Sequence, residues 1–269
     1  MKHCLAVFLL ALGLAFCLPS QSSAADRESV VEKVVRRGTL RVGFSSFVPW
    51  AMQDKDGKYI GFEIDVAERL AADLGVKLQL VPTNWDGIIP ALLSGKFDVI
   101  IGSMSVTPQR LLSVNFSVPY DHAYVDVTLN REKASAINRL EDLNAEGVTI
   151  AVRTGTTAAA AAARLFPRAS LRMFNDEAPA VEEVLSGRAH AFMSSAPLPA
   201  METLKHGDTL VQKFETGLAM QPVAFAVVKG DFDTLNVFDN WIRLVEEEGW
   251  LQERRDYWFK SDAWQSRLN

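Results

Sequence analysis

Apolar positions change their spacing at regular intervals along this chain. LRVGF (40–44) and VKLQLV (76–81) carry the short alternation of strands, FEIDVAERLAADLG (62–75) and WDGIIPALLSG (85–95) repeat every three to four residues, and FDVII (97–101) closes the set. A β-α-β-α-β rhythm follows. In the first helix Val66, Leu70 and Leu74 share a face with Ala67 and Ala71, while Glu63, Asp65 and Glu68 load the N-terminal end and Gly75 stops it. Such a helix lays its apolar face on a sheet. The run 99–101 has no polar face, as a central parallel strand covered on both sides requires.

A second set follows the charged stretch NREKASAINRLEDL (130–143). It runs through strand GVTIAV, helix TTAAAAAARLF, strand SLRMF, helix EAPAVEEVLSG, strand AHAFM and a further helix to about Lys205. The alanine run 158–163 needs only a helix, alanine being the best helix former. The fold class is therefore α/β in two lobes, each a mostly parallel sheet flanked by helices. Two extended runs, YVDVTL (124–129) and PVAFAVV (222–228), separate the sets. After the second run Leu235, Phe238, Ile242 and Val245 share a helix face, and Gly249 interrupts the helix before WLQERRDYWF resumes it. A chain that leaves lobe 1 by the first run and returns by the second makes lobe 1 discontinuous, 26–127 with 223–269, around lobe 2 at 128–222. Two crossing strands then form a hinge near 126–130 and 222–226, about which a clamp can close.

A length of 269 residues, with 48% hydrophobic and 23% charged, has room for two such cores. The net charge of −5 argues against nucleic acid and against a polybasic membrane-binding face. At the N-terminus Lys2, the apolar CLAVFLLALGLAFCL and the small-residue SSAAD read as an export signal over 1–25, leaving a mature chain from Asp26. A membrane anchor is the alternative, but the apolar run falls short of the ~20 residues a spanning helix needs. Cys4 and Cys17 both lie in the signal, so the mature chain is expected to lack disulfides and cysteine-ligated metal. The bulky Phe16 argues against a lipid anchor on Cys17. His3, His122, His190 and His206 are scattered without ligand spacing, so no metal or other cofactor is expected.

GSMSVTPQR (102–110) departs from this regular pattern. It follows a buried strand, and in open α/β sheets ligands gather beyond the carboxyl ends of strands. Gly102 admits a ligand to the backbone, Ser103 and Ser105 supply hydroxyls, Thr107 can cap the next helix and Pro108 fits its first turn. Free amides there favour an anion, and Arg110 adds a planar fork matched to a carboxylate. The alternative for Arg110 is a surface charge paired with some acid.

Several long stretches in order carry a resemblance over about 36–260: GTLRVGF, DGKYIGFEIDVAERLAADLG, NWDGIIPALLSGKFDVIIGSMSVTPQR, VNFSVPY, VTIAVRTGTT, VEEVLSGRAHAFM and EEGWLQERRDYWF. The chain resembles the family 3 periplasmic solute-binding proteins, the amino-acid-binding components of ABC importers. The resemblance implies a periplasmic, monomeric two-lobed clamp that holds an amino acid or small carboxylate and passes it to a membrane-embedded ABC permease. It implies that the serine-rich loop and Arg110 bind the ligand's α-carboxylate, with Thr157 from lobe 2. It also implies that Phe47 stacks over the ligand and that Trp85 lines a side-chain pocket, core packing being the alternative for both rings. Arg153 falls where some members contact the ligand; a surface charge is its alternative. The chain departs from the family at Ser195, where an aspartate usually receives the α-ammonium, and at His190, where a strand acid is common. With Arg110 and Arg153 nearby, that departure points to a carboxylate lacking an α-ammonium, or a dicarboxylate, unless Asp121, Asp126 or Glu215 reaches the cleft.

Two other functions fit the same fold. Enzymes resembling cyclohexadienyl dehydratase act on carboxylated rings such as prephenate or arogenate and need an acid with a raised pKa in the cleft. The glutamate they use matches Leu198 here. A sensor or lytic module of a larger protein ranks last, since the sequence shows no further domain after Asn269.

Overall fold

A computed structural model describes residues 28–214 and 217–268. The expected export signal and Glu215 lie outside the described residues. The chain begins with α1 (Val30–Arg37), β1 (Thr39–Phe44), β2 (Met52–Gln53), β3 (Tyr59–Ile60) and α2 (Phe62–Asp73). It continues through β4 (Lys77–Pro82), α3 (Ile88–Leu93), β5 (Val99–Ile100), α4 (Pro108–Leu111) and β6 (Asn115–Phe116). The strand β7 (Asp121–Asn130) leads to β8 (Thr149–Arg153), α5 (Thr157–Leu165), β9 (Ser170–Phe174), α6 (Glu177–Leu185), β10 (Ala191–Ser195), α7 (Leu198–Lys205) and β11 (Leu210–Val211). The return runs through β12 (Leu218–Val223) and β13 (Ala226–Val227) to α8 (Phe232–Glu247) and α9 (Trp250–Lys260).

Lobe 1 is built on a sheet of order β4-β1-β5-β13-β6, in which β1 runs parallel to β4 and β5 while β13 is antiparallel to both its neighbours. The apolar run Val99, Ile100, Ile101 is fully buried at the centre of this sheet, with Val66, Ala67, Leu70 and Ala71 of α2 packed into the same lobe's core. Two indole hydrogen bonds fasten the C-terminal helices to α2: Trp241 Nε1 donates to Asp73 at 2.9 Å and Trp258 Nε1 to Asp65 at 2.7 Å. Lobe 1 is thereby completed by chain that returns after lobe 2.

Lobe 2 has the order β11-β7-β10-β8-β9, with β12 added against β7. Here β9, β8 and β10 are parallel and β7 runs against β10, β11 and β12. The alanine run gives α5 a face of small side chains, Ala158, Ala159, Ala161 and Ala162, all buried in this lobe's core. Among the described residues no helix is long and apolar enough to cross a membrane.

The lobes are joined by β7 and β12, which pair with each other through Ala123↔Gln221, His122↔Pro222 and Asp121↔Val223, with an irregularity between Leu218 and Gln221. Tyr120, Ala123, Val223 and Phe225 belong to the core of lobe 1, whereas Val125, Val127 and Leu129 belong to that of lobe 2. Only a few torsions lie between the two cores on each strand. Rotation there leaves both cores intact. Solution scattering is expected to give a smaller radius of gyration when a saturating mixture of small carboxylates and amino acids is added; superimposable curves would contradict a hinge.

Candidate functional site

The site is assembled where β5 ends. A Cβ on Gly102 would lie 3.3 Å from Phe44 Cα, so this position has room for backbone and little else. Ser103 then turns with φ 54°, in the left-handed region that costs a non-glycine residue energy unless its surroundings hold it. The holding group is Glu63. Its Oε1 accepts the Ser103 amide at 2.7 Å and its Oε2 accepts the Tyr120 hydroxyl at 2.6 Å. Glu63 is fully buried, and desolvation pushes its carboxyl up to about 8. Its charge in the sequence pattern reads as helix N-terminal loading, but in the fold it is the internal support of the loop.

Beyond the serines, Thr107 Oγ1 accepts the Arg110 amide at 3.2 Å and Pro108 opens α4, the cap expected from the sequence. The helix it caps is a single turn of four residues, however, so its peptide dipoles add little. Attraction for an anion therefore resides in Arg110 rather than in the helix end. Arg110 Nη1 donates to Ser105 O at 2.8 Å and Nη2 to Gly155 O at 3.1 Å, reaching from lobe 1 to lobe 2. Trp85 Nε1 donates to the same Gly155 carbonyl at 3.0 Å, and the guanidinium lies 5.3 Å from the Trp85 ring centroid. Gly155 presents that carbonyl with φ 72°, a conformation glycine adopts at no steric cost. Burial pushes the Arg110 guanidinium down to about 10, which leaves it charged at neutral pH. Both its hydrogen bonds go to neutral carbonyl oxygens, unlike those of a surface arginine paired with an acid.

From the end of β8, Arg153 crosses in the opposite direction. It is 3% exposed and donates from Nη2 to Ser45 Oγ at 2.5 Å, from Nη1 to Ser46 O at 3.3 Å and from Nε to Asn175 O at 3.0 Å. Its guanidinium lies 5.9 Å from the Trp85 ring centroid and 3.7 Å from Asp176, and burial lowers its pKa. Next along the chain, Thr156 caps α5 by accepting the Ala159 amide at 3.1 Å and donates to Arg153 O at 2.7 Å, placing Thr157 as the first helical residue.

These side chains surround one interlobe cavity with about 430 Å³ of atom-free space, part of it open to solvent. Its wall contains Phe47, Trp85, Gly102, Ser103, Ser105, Arg110, Arg153, Thr157 and Ser195, every residue expected there from the sequence. Phe47 and Val48 also pack against the cores of both lobes, so Phe47 is wall and packing at once. Four further residues share the wall: Ser45, Thr156, Glu177 and Ser194. Of these Glu177 changes the chemistry. It opens α6, and Ser194 Oγ donates to its Oε1 at 3.0 Å. Burial pushes its carboxyl up to about 7, opposed by Arg153 and by the Ser194 hydrogen bond. Asp121 instead lies 3.6 Å from Arg255, and Asp126 accepts its own neighbour's amide, Val127 N, at 2.8 Å and a hydrogen bond from Gln212; neither lines the cavity. Among the described residues the acid in the cleft is therefore Glu177 and not Asp121 or Asp126, while Glu215 lies outside the described residues. The position of Glu177 after a parallel strand, at the carboxyl end of β9, was the available sign. Among the described residues no group of three His, Cys, Asp or Glu is placed to hold a metal ion.

Residues 40–261 match the family described as bacterial extracellular solute-binding proteins, family 3. The chain belongs to this family. Similar proteins within reach of its sequence include the L-cystine-binding protein TcyJ of Escherichia coli K12, 31% identical over 246 residues and 91% of each chain. A cyclohexadienyl dehydratase of Pseudomonas aeruginosa is 27% identical over 252 residues, covering 91% of this chain and 92% of that one. Among solved structures, a putative ABC-transporter binding component from Wolinella succinogenes, complexed with lysine, is 37% identical with a TM-score of 0.80, covering 86% of this solute-binding protein and 99% of that chain.

Glu63 yields a test of the loop support. Its folded pKa of about 8 exceeds the ordinary 4.5, so between these values the folded state holds a proton that the unfolded state has released, and stability falls as pH rises through that window. Replacing Glu63 with Gln removes the titration. Glu63→Gln is expected to gain on wild type by at most about 1.4 kcal/mol per pH unit as pH rises from 5 to 8, read from denaturant unfolding. A stability difference that does not change with pH would contradict the burial of an ionisable carboxyl there.

Proposed function

We propose that this solute-binding protein captures an amino acid or related small carboxylate in the interlobe cavity of the periplasm and delivers it to an ABC permease. It acts as a monomer, without chemistry on the ligand, by hinged closure of lobe 1 on lobe 2, with Val125 and Val127 moving with the core of lobe 2 rather than with lobe 1. One observation carries this reading: a largely buried Arg110 whose guanidinium, among the described residues, donates only to neutral carbonyls, on the wall of the cavity between the lobes. A guanidinium so placed retains net positive charge for a ligand carboxylate to neutralise. Ser103, Ser105 and Thr157 supply polar partners beside it, and Phe47 and Trp85 supply apolar walls. The relatives that bind L-cystine and lysine support an amino acid as the ligand class.

A dehydratase is the second reading, favoured by the likeness to cyclohexadienyl dehydratase and by the raised carboxyl of Glu177. Against it, Leu198, at the position of that enzyme group's glutamate, is a 4% exposed member of the lobe 2 core and has no proton to give. Incubation with prephenate or arogenate is expected to yield no product above background; turnover would establish the enzyme.

Arg110→Ala is expected to weaken binding roughly tenfold to more than a hundredfold, the loss of about 1.5–3 kcal/mol for hydrogen bonds to a charged group, with little change in the melting temperature of the ligand-free protein. Calorimetry showing unchanged affinity would remove Arg110 from the ligand site.

A further inference from the structure

Among the described residues the wall of the cavity carries two positive charges, Arg110 and Arg153, and one carboxyl, Glu177. That carboxyl is half satisfied. Ser194, buried on β10, donates to Oε1, whereas Oε2 is buried and no donor reaches it among the described residues. A buried carboxylate oxygen without a donor is destabilising, so the site is incomplete as it stands. Arg153, whose charge acts on this carboxyl, directs its guanidinium to Ser45, Ser46 and Asn175 and lies 3.7 Å from Asp176. Ser195 at the end of β10 offers a hydroxyl but no charge.

We propose that Glu177 is the receptor for an ammonium group on the ligand, supplying from the start of α6 the anionic partner that Ser195 cannot supply from β10. Buried ammonium needs an anionic partner together with further acceptors, and Glu177 Oε2 with the hydroxyl of Ser195 on the same wall provides that combination. The inference rests on the amino-acid reading above and narrows it. Ionised Glu177 offsets one of the two wall arginines, and Asp176, 3.7 Å from Arg153, opposes that arginine from outside the wall. The complementary ligand carries an ammonium balanced by a carboxylate; a side chain with a second ammonium finds no second carboxylate among the described residues of the wall.

Affinity then depends on pH with a definite sign. The groups facing Glu177 are Arg153 from β8, Ser194 from β10 and Asp176 beside it in the chain, and burial holds its carboxyl at about 7. A bound ammonium favours the carboxylate, so an amino ligand loses affinity as pH falls below about 7. A deaminated analogue, facing the neutral acid more readily than the anion, gains.

Calorimetric titration of the mature protein tests this with matched probes: L-glutamate and glutarate, L-glutamine and glutaramate, L-leucine and 4-methylpentanoate, at about pH 8 and about pH 5.5. In each pair that binds, the amino member is expected to be at least roughly tenfold tighter at the higher pH. That preference should shrink at the lower pH, disappear in Glu177→Gln and return in part in Glu177→Asp, each variant first shown to keep the wild-type melting temperature. Equal affinity of the two members in wild type, or an amino preference that survives in folded Glu177→Gln, would overturn the inference while leaving the carboxylate-binding function standing. Should Glu177→Gln fail to fold, the wild-type pH dependence decides: an amino preference independent of pH overturns the inference. Absence of binding by any probe would instead overturn the amino-acid reading and this inference with it.

Discussion

A guanidinium drawn largely out of water must find acceptors on whatever surface closes over it, and here those surfaces belong to different lobes. Arg110 of lobe 1 donates to Gly155 of lobe 2, and Arg153 of lobe 2 donates to Ser45 and Ser46 of lobe 1. Closing the cleft and completing the site are thus the same event. Opening it exchanges these hydrogen bonds for bonds to water, an exchange in which each bond from a charged guanidinium contributes only about 1.5–3 kcal/mol net. A ligand that brings charge of its own can therefore tip the balance by a modest difference in affinity between open and closed forms.

Two buried carboxyls show how the same desolvation serves different ends. Glu63 and Glu177 both have pKa values raised chiefly by burial, to about 8 and about 7. At Glu63 both oxygens meet protein donors, the Ser103 amide and the Tyr120 hydroxyl, and the result is a rigid backbone turn at the mouth of the cavity. At Glu177 one oxygen is met and, among the described residues, the other is not. The first group holds the receptor in shape and the second is available to a guest.

The architecture was legible because it is written in periodicity. The unbroken apolar run 99–101 could only be a strand covered on both faces, and the Gly, Ser and Arg after it had to stand at the strand's carboxyl end, where the cavity lies. Glu63 was not legible in this way. An acid in the first turn of a helix has a sufficient local explanation in the helix dipole, and its actual partner, Tyr120, lies 57 residues away. Glu177 was hidden by the same local sufficiency, as an acid in the first turn of α6. What the pattern of residues could not supply was which side chains from separate elements converge. Arg153 illustrates this from the other direction: a lone arginine at a strand end fits a solvated charge, and only the fold buries it against the opposite lobe.

The central claim is that one cavity receives a carboxylate at Arg110 and an ammonium at Glu177. A crystal structure of the mature protein grown with the twenty common L-amino acids tests it most directly. The account predicts an amino acid between the lobes, with a carboxylate oxygen within about 3 Å of an Arg110 nitrogen and its amine within about 3 Å of Glu177 Oε2. An amino acid bound with its carboxylate away from Arg110, or with its amine directed to groups other than Glu177, would contradict it.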